Sequence, residues 1–110
     1  VRSKGALSVL HICGNVTRIV KDMAEAGFDG LSVEEKIDLA KARELIGAPR
    51  PALIGNVAAA KSMFTGKPED VVQEAKRSLA AGVNILAPGC GMAPRTKIEN
   101  VRALVSAVGQ

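Results

Sequence analysis

Tryptophan and tyrosine are absent from this 110-residue chain, and phenylalanine occurs only twice. Without aromatic faces there is no platform for stacking bases, which speaks against nucleic-acid binding. No run of about 18 apolar residues occurs, so a membrane-spanning helix is not expected. The N-terminus carries no secretory leader and no initiator methionine, and the missing methionine points to a piece cut from a longer protein. Neither GxGxxG nor a Walker loop is present, and nucleotide binding has no support. Reactive side chains are equally scarce: one histidine and two cysteines. Two cysteines without a disulfide-scaffold pattern suit a reducing, cytoplasmic compartment.

What is present is aliphatic. Hydrophobic residues make up 47% of the chain and charged ones 24%, which is globular material with a core of Val, Ile, Leu and Ala. That composition suits parallel strands covered by helices. The net charge of +4 comes from basic side chains mixed with acids over several expected helices, a solvated surface more than a binding stripe.

The chain reads as four strand-then-helix units forming a single partial domain over residues 1–110. Strands are expected over 7–12, 30–33, 52–54 and 83–87. The first is followed by a helix over 17–26, with Val16, Ile19, Val20, Met23 and Ala24 at helical spacing and Gly27 as its stop. Asp38 caps a second helix whose inner face carries Leu39, Ala42 and Ile46, ending at Gly47. After the third strand, Gly55-Asn56 leads into a helical piece over 60–64. Pro68 opens a longer helix at its first position, with Glu69 and Asp70 where the macrodipole favours them. Val72, Ala75 and Leu79 are expected to face inward from it. A capping box over 96–99 starts the last helix, which is expected to bury Ile98, Val101, Val105 and Val108. Met63 and Met92 read as core filler.

Short loops between alternating strands and helices argue for a parallel α/β sheet with right-handed crossovers, either a small open sheet or half of a (β/α)8 barrel. Polar, chemically able residues follow each strand at its C-terminal end: His11 and Cys13, Glu34 and Glu35, Asn56, then Cys90. Barrel enzymes place their chemistry at that rim.

His11 and Cys13 stand two apart in a strand and so project from one face, as a chelating pair must. With Cys90 they make two sulfurs and one imidazole. That set, completed by a carboxylate or a substrate, matches a catalytic zinc site better than a closed structural one. The spacing from Cys13 to Cys90, 77 residues, resembles no zinc finger. Two small buried cysteines or a Cys13–Cys90 disulfide are the plainer readings of the same residues. Glu34 and Glu35 read either as solvated loop charges or as a source of the fourth ligand, preferably Glu34, until a thiol displaces it. Asn56 either orients a bound substrate or cofactor or ties its turn.

With those residues assembled, the chain resembles the uroporphyrinogen decarboxylase superfamily, in particular its methylcobamide:coenzyme M methyltransferase branch. Leu10-His11-Ile12-Cys13-Gly14-Asn15 is similar to that branch's His-x-Cys motif. The segments 30–36, 53–57 and Ala87-Pro88-Gly89-Cys90-Gly91 are similar to its later motifs. The resemblance implies the C-terminal half of a TIM (β/α)8 barrel, with zinc held by His11, Cys13 and Cys90 and with Glu34 as the displaceable fourth ligand. It implies methyl transfer from a methylated corrinoid, carried by a corrinoid protein, to the thiol coenzyme M, a reaction of methanogenesis. Decarboxylases of the superfamily typically carry Gly-His-Gly where this chain has Gly89-Cys90-Gly91, so a uroporphyrinogen decarboxylase activity is the second reading. A non-catalytic corrinoid-binding half domain is the third.

In a flat sheet the strands ahead of Cys13 and Cys90 would lie about 14 Å apart, at about 4.8 Å per spacing. Four units standing alone are expected to be inactive. They are expected either to self-associate through open strand edges or to leave the site empty or distorted.

Overall fold

A computed structural model of the chain describes residues 1–47 and 51–109. Among the described residues four strands form one sheet: β1 (Val9–His11), β2 (Gly30–Ser32), β3 (Ala52–Val57) and β4 (Ile85–Pro88). They lie side by side in chain order, and every pair is parallel. Parallel neighbours need a crossover, and helices supply it: α1 (Val20–Glu25), α2 (Leu39–Ile46) and α3 (Pro68–Ala80). A π-helical turn, Ala59–Phe64, precedes α3, and α4 (Ile98–Ala107) closes the series. These are four βα units in sequence, the α/β architecture expected of half a (β/α)8 barrel.

The pleat sorts the strand residues. Leu10, Leu31, Leu53 and Leu86 turn to the helical side, where Leu31 and Leu53 are fully buried with Val20, Met23, Leu39 and Ala42. Val9, Gly30 and Ile54 share the opposite side, since a Cβ on Gly30 would meet Val9 and Ile54. That concave side is open, and Val9 and Ile85 are about half exposed on it. Strands thus show one covered face and one bare face, as barrel strands do when part of the wall is absent.

Local signals behave as their chemistry requires. Asp38 Oδ1 accepts from the Lys41 N–H and caps α2, and Gly47 ends it at φ 77°. Pro68 stands at the start of α3, and the Lys67 N–H donates to Asp70. Several element bounds differ from expectation: β2 stops at Ser32, and β4 starts at Ile85 and not at residue 83. Helix α1 starts only at Val20, because the Asn15 side chain accepts from the Thr17 N–H and holds the preceding residues in a turn. Strand β3 runs on through Gly55-Asn56 to Val57, paired with β4 as far as Pro88. Strand β1 is confined to three residues.

Two helices present a different face from the expected one. On α4, Ile98, Val105 and Val108 are exposed, whereas Asn100, Ala103, Leu104 and Ala107 are buried. Asn100 decides it: its Nδ2 donates to the Met63 and Gly66 carbonyls, and that anchor turns the 100–103–104–107 stripe inward. The capping box fails with it, since Lys97 is the N-cap and the Thr96 hydroxyl donates to the Ala93 carbonyl. On α3, Val71, Ala75 and Ser78 are buried, while Val72 and Leu79 are only half-buried. Ser78 is drawn in by a hydrogen bond to Asn56. Met63 lies in the core as expected; Met92 is exposed.

Candidate metal centre

Each donor sits just beyond, or at, the C-terminal end of a strand. His11 is the last residue of β1 and Cys13 follows two residues on. Cys90 comes two residues after β4 ends, past Gly89. The Cys13 and Cys90 sulfurs nevertheless lie 3.8 Å apart. Curvature of the sheet closes the gap that a flat one would leave. Glycine permits the last step: a Cβ on Gly89 would fall 2.8–2.9 Å from Glu35 Oε2, Glu34 Cα and the Glu35 nitrogen. The end of β4 thus rides directly on the loop after β2, which bends the fourth strand back toward the first. Gly55 serves the same end on β3, where a Cβ would stand 2.6 Å from the Val33 carbonyl oxygen.

Among the described residues, His11, Cys13 and Cys90 are the group whose ligand atoms all fall within 4.8 Å of one another. His11 Nε2 is 3.3 Å from Cys13 Sγ. A tetrahedral ion with zinc–sulfur bonds of about 2.3 Å and zinc–nitrogen bonds of about 2.0–2.1 Å has edges of about 3.8 Å between sulfurs and about 3.6 Å between sulfur and nitrogen. The sulfur–sulfur edge matches, the His11–Cys13 edge is close to it, and all three donors are of the type zinc takes.

Ser32, which sequence reasoning passed over, completes the histidine. Its carbonyl lies 3.1 Å and its hydroxyl 3.0 Å from His11 Nδ1. A carbonyl only accepts, so Nδ1 is the nitrogen that donates here and Nε2 is the one turned toward Cys13, where a metal would take it. The signal was available in principle: His11 and Ser32 are register partners in the parallel ladder, and Ser32 is the polar residue in an apolar strand.

Glu34 stands beside this group and not within it. It is 7% exposed, and Lys36 Nζ lies 3.4 Å from its Oε1. The Gly14 N–H donates to the carboxylate and holds its pKa below the usual value; Lys36 and His11 act the same way against the opposing effect of burial. Glu34 is therefore ionised and fastened to the residue that follows Cys13. Glu35 is exposed. The Cys13 thiol is held above its ordinary pKa, first by its hydrogen bond to Cys90 and then by repulsion from that sulfur. Both cysteines are free thiols and exposed, which sets aside the buried-cysteine reading. Asn56 is buried on β3, and its amide is engaged within the fold by Glu34, Ile37 and Ser78.

Residues 1–110 match the family profile of uroporphyrinogen decarboxylase (URO-D). The chain is 48% identical over 106 residues to the methylcobamide:CoM methyltransferase MtaA of Methanosarcina barkeri, covering 96% of this chain and 31% of that protein. It is 36% identical over 98 residues to the methylcobamide:CoM methyltransferase MtbA of Methanosarcina acetivorans, covering 89% of this chain and 28% of that protein. A solved structure of a methyltransferase from Methanosarcina mazei superposes with a TM-score of 0.90 at 50% identity, over 96% of this chain and 32% of that one. The chain spans about a third of the length of the curated relatives it matches. No helix among the described residues is long and apolar enough to cross a membrane.

Proposed function

The chain belongs to the uroporphyrinogen decarboxylase (URO-D) family, and from that premise we propose that it carries the zinc site of a methyltransferase acting on a thiol. The methyl group would come from a methylated corrinoid on a partner protein, and coenzyme M, named for the relatives, would be the acceptor. The observation that carries the reading is the convergence of His11 Nε2, Cys13 Sγ and Cys90 Sγ within 4.8 Å. Two thiolates and an imidazole are the donors a thiol-activating site needs. A decarboxylase of tetrapyrrole carboxylates has no use for a pair of exposed thiols at this point, which ranks that activity second.

His11, Cys13 and Cys90 would hold the ion, and Glu34 would supply an exchangeable fourth donor. Bound there, zinc supplies the positive charge that keeps a substrate thiol deprotonated at neutral pH. Ser32 fixes the orientation of the imidazole, so the ring need not turn before it binds. Glu34 is already ionised and held on the Gly14 N–H. A carboxylate in that state would serve as a donor without first giving up a proton. Cys13 and Cys90 are exposed just past the C-terminal ends of β1 and β4, so the acceptor thiol and the methyl donor would both arrive at that rim. Holding the nucleophile at one fixed point is the protein's main contribution to such a displacement.

In this reading residues 1–110 are the C-terminal four units of a longer barrel, and alone they would bind metal without turning over. The open edges of β1 and β4 are where further strands, or a second copy, would pair. Free Cys13 and Cys90 suit a reducing, cytoplasmic setting. The test is metal analysis followed by assay. The chain should hold one zinc per molecule, lost in Cys13→Ser and in Cys90→Ser. A longer protein bearing this segment should demethylate methylcobalamin with coenzyme M. Zinc retained in both variants would sink the proposal.

A further inference from the structure

We infer that Asn56, backed by Ser78, is the positioning residue of the metal centre and acts through the backbone of Glu34. The inference rests on the reading of Glu34 as the fourth donor. Asn56 Nδ2 donates to the Glu34 carbonyl at 3.2 Å and to the Ile37 carbonyl at 3.3 Å. Its Oδ1 accepts from the Ser78 hydroxyl at 3.1 Å. An asparagine that merely ties its own turn bonds to backbone about two residues away. Here the backbone partners are 22 and 19 residues distant, on the loop that joins β2 to α2, and the third partner is on α3. One buried amide therefore clamps together the second unit, the third strand and the third helix.

The clamp and the metal centre meet in a single residue. The backbone of Glu34 is gripped from the helical side by Asn56, while its carboxylate takes the Gly14 N–H, one residue after Cys13. Rotation or retreat of the 34–37 loop would withdraw the carboxylate and release the Cys13 loop at the same time. Only an uncharged amide meets the geometry. It offers two N–H groups to two carbonyls and a carbonyl to a hydroxyl, whereas a carboxylate there would face the Glu34 and Ile37 oxygens with no proton to give. Groups that orient metal ligands without touching the metal commonly change affinity by about 10–100-fold.

Cobalt(II) is the probe, because its visible absorption reports the donor set independently of turnover. Asn56→Ala in this chain should weaken cobalt binding by about tenfold or more and alter the spectrum in the same sense as Glu34→Gln. On a Glu34→Gln background the same substitution should cost little more, since the two act in series. Ser78→Ala keeps both Asn56 donors and should give a smaller loss in the same direction; it decides the matter if Asn56→Ala does not fold. The inference is overturned if Asn56→Ala lowers the unfolding temperature but leaves affinity within about twofold and the spectrum unaltered. It is equally overturned if the loss repeats in full on Glu34→Gln. The reading beneath it fails differently: His11→Ala would then bind cobalt as tightly as the unaltered chain, or Glu34→Gln would leave the spectrum unaltered.

Discussion

The sulfurs of Cys13 and Cys90 lie 3.8 Å apart although their residues follow the first and last strands of a four-stranded sheet. Such closeness has a chemical consequence apart from metal binding. In the metal-free chain a mild disulfide oxidant such as oxidised glutathione should form a Cys13–Cys90 bond within the molecule, with loss of two thiols. Zinc, by occupying both sulfurs, should protect them. Thiol titration and intact mass with and without zinc read this directly. Mixed disulfides with glutathione and no internal bond would contradict it.

Loss of a donor should outweigh loss of any supporting group. Cys13→Ser, Cys90→Ser and His11→Ala should each reduce zinc affinity by more than the roughly 10–100-fold typical of residues behind the ligands. Ser32→Ala removes only a hydroxyl and keeps the carbonyl that holds Nδ1, so its loss should be smaller. Competition against a chromophoric chelator ranks the four variants.

Metal affinity should rise with pH through the neutral range. Cys13 holds its proton more firmly than an ordinary thiol because Cys90 is beside it. A metal must displace that proton, so raising the pH removes a competitor and strengthens binding, by up to about tenfold per pH unit for each proton released. Glu34 acts in the same direction, but only at low pH. Its carboxyl is held below the usual value, so it stays ionised until the solution falls through that lowered pKa. Affinity measured at pH 6, 7 and 8 should therefore follow the thiols. A flat profile would contradict the donor assignment.

Gly89→Ala should damage fold and site together. The added Cβ would meet Glu34 and Glu35 at 2.8–2.9 Å, and the nearest backbone cannot move without shifting the Glu34 loop. An overpacking cost of about 1–3 kcal/mol is expected, with weaker metal binding. Gly91→Ala, where nothing lies within 4 Å of the new carbon, is the control and should be nearly neutral. Denaturant unfolding of both variants separates the cases.

The inner face of α4 can be tested by a pair of truncations. Leu104 is buried, so Leu104→Ala should cost about 2–5 kcal/mol. Val105 is 70% exposed, and Val105→Ala should change stability by less than about 0.5 kcal/mol. Equal effects would mean that α4 turns its other stripe to the core.

The polar residues that misled the reading of helix faces share one cause. Apolar periodicity on α4 selects Ile98, Val101, Val105 and Val108 as readily as the stripe that is buried. Asn100 on α4 and Ser78 on α3 count as outward in any hydrophobic pattern, yet both are buried because distant partners accept or supply their hydrogen bonds. A partner 22 residues away on another unit leaves no mark on local spacing. Local devices are different. The Asp38 cap, Pro68 at the opening of α3 and Gly47 at the end of α2 act within one turn, and each stands where the residues placed it.

Chain order alone determined the alternation of strands and helices, the parallel sheet and the face on which His11 ends β1. Those follow from apolar period, turn residues and the two-residue repeat of a strand, all of them short-range. Tertiary structure alone decided that Cys90 reaches Cys13, that Ser32 holds the imidazole, and that Asn56 grips the Glu34 loop. The physical reason is curvature. How far four parallel strands curl depends on close approaches such as Gly89 on Glu34 and Gly55 on Val33, contacts that exist only once distant units have packed together.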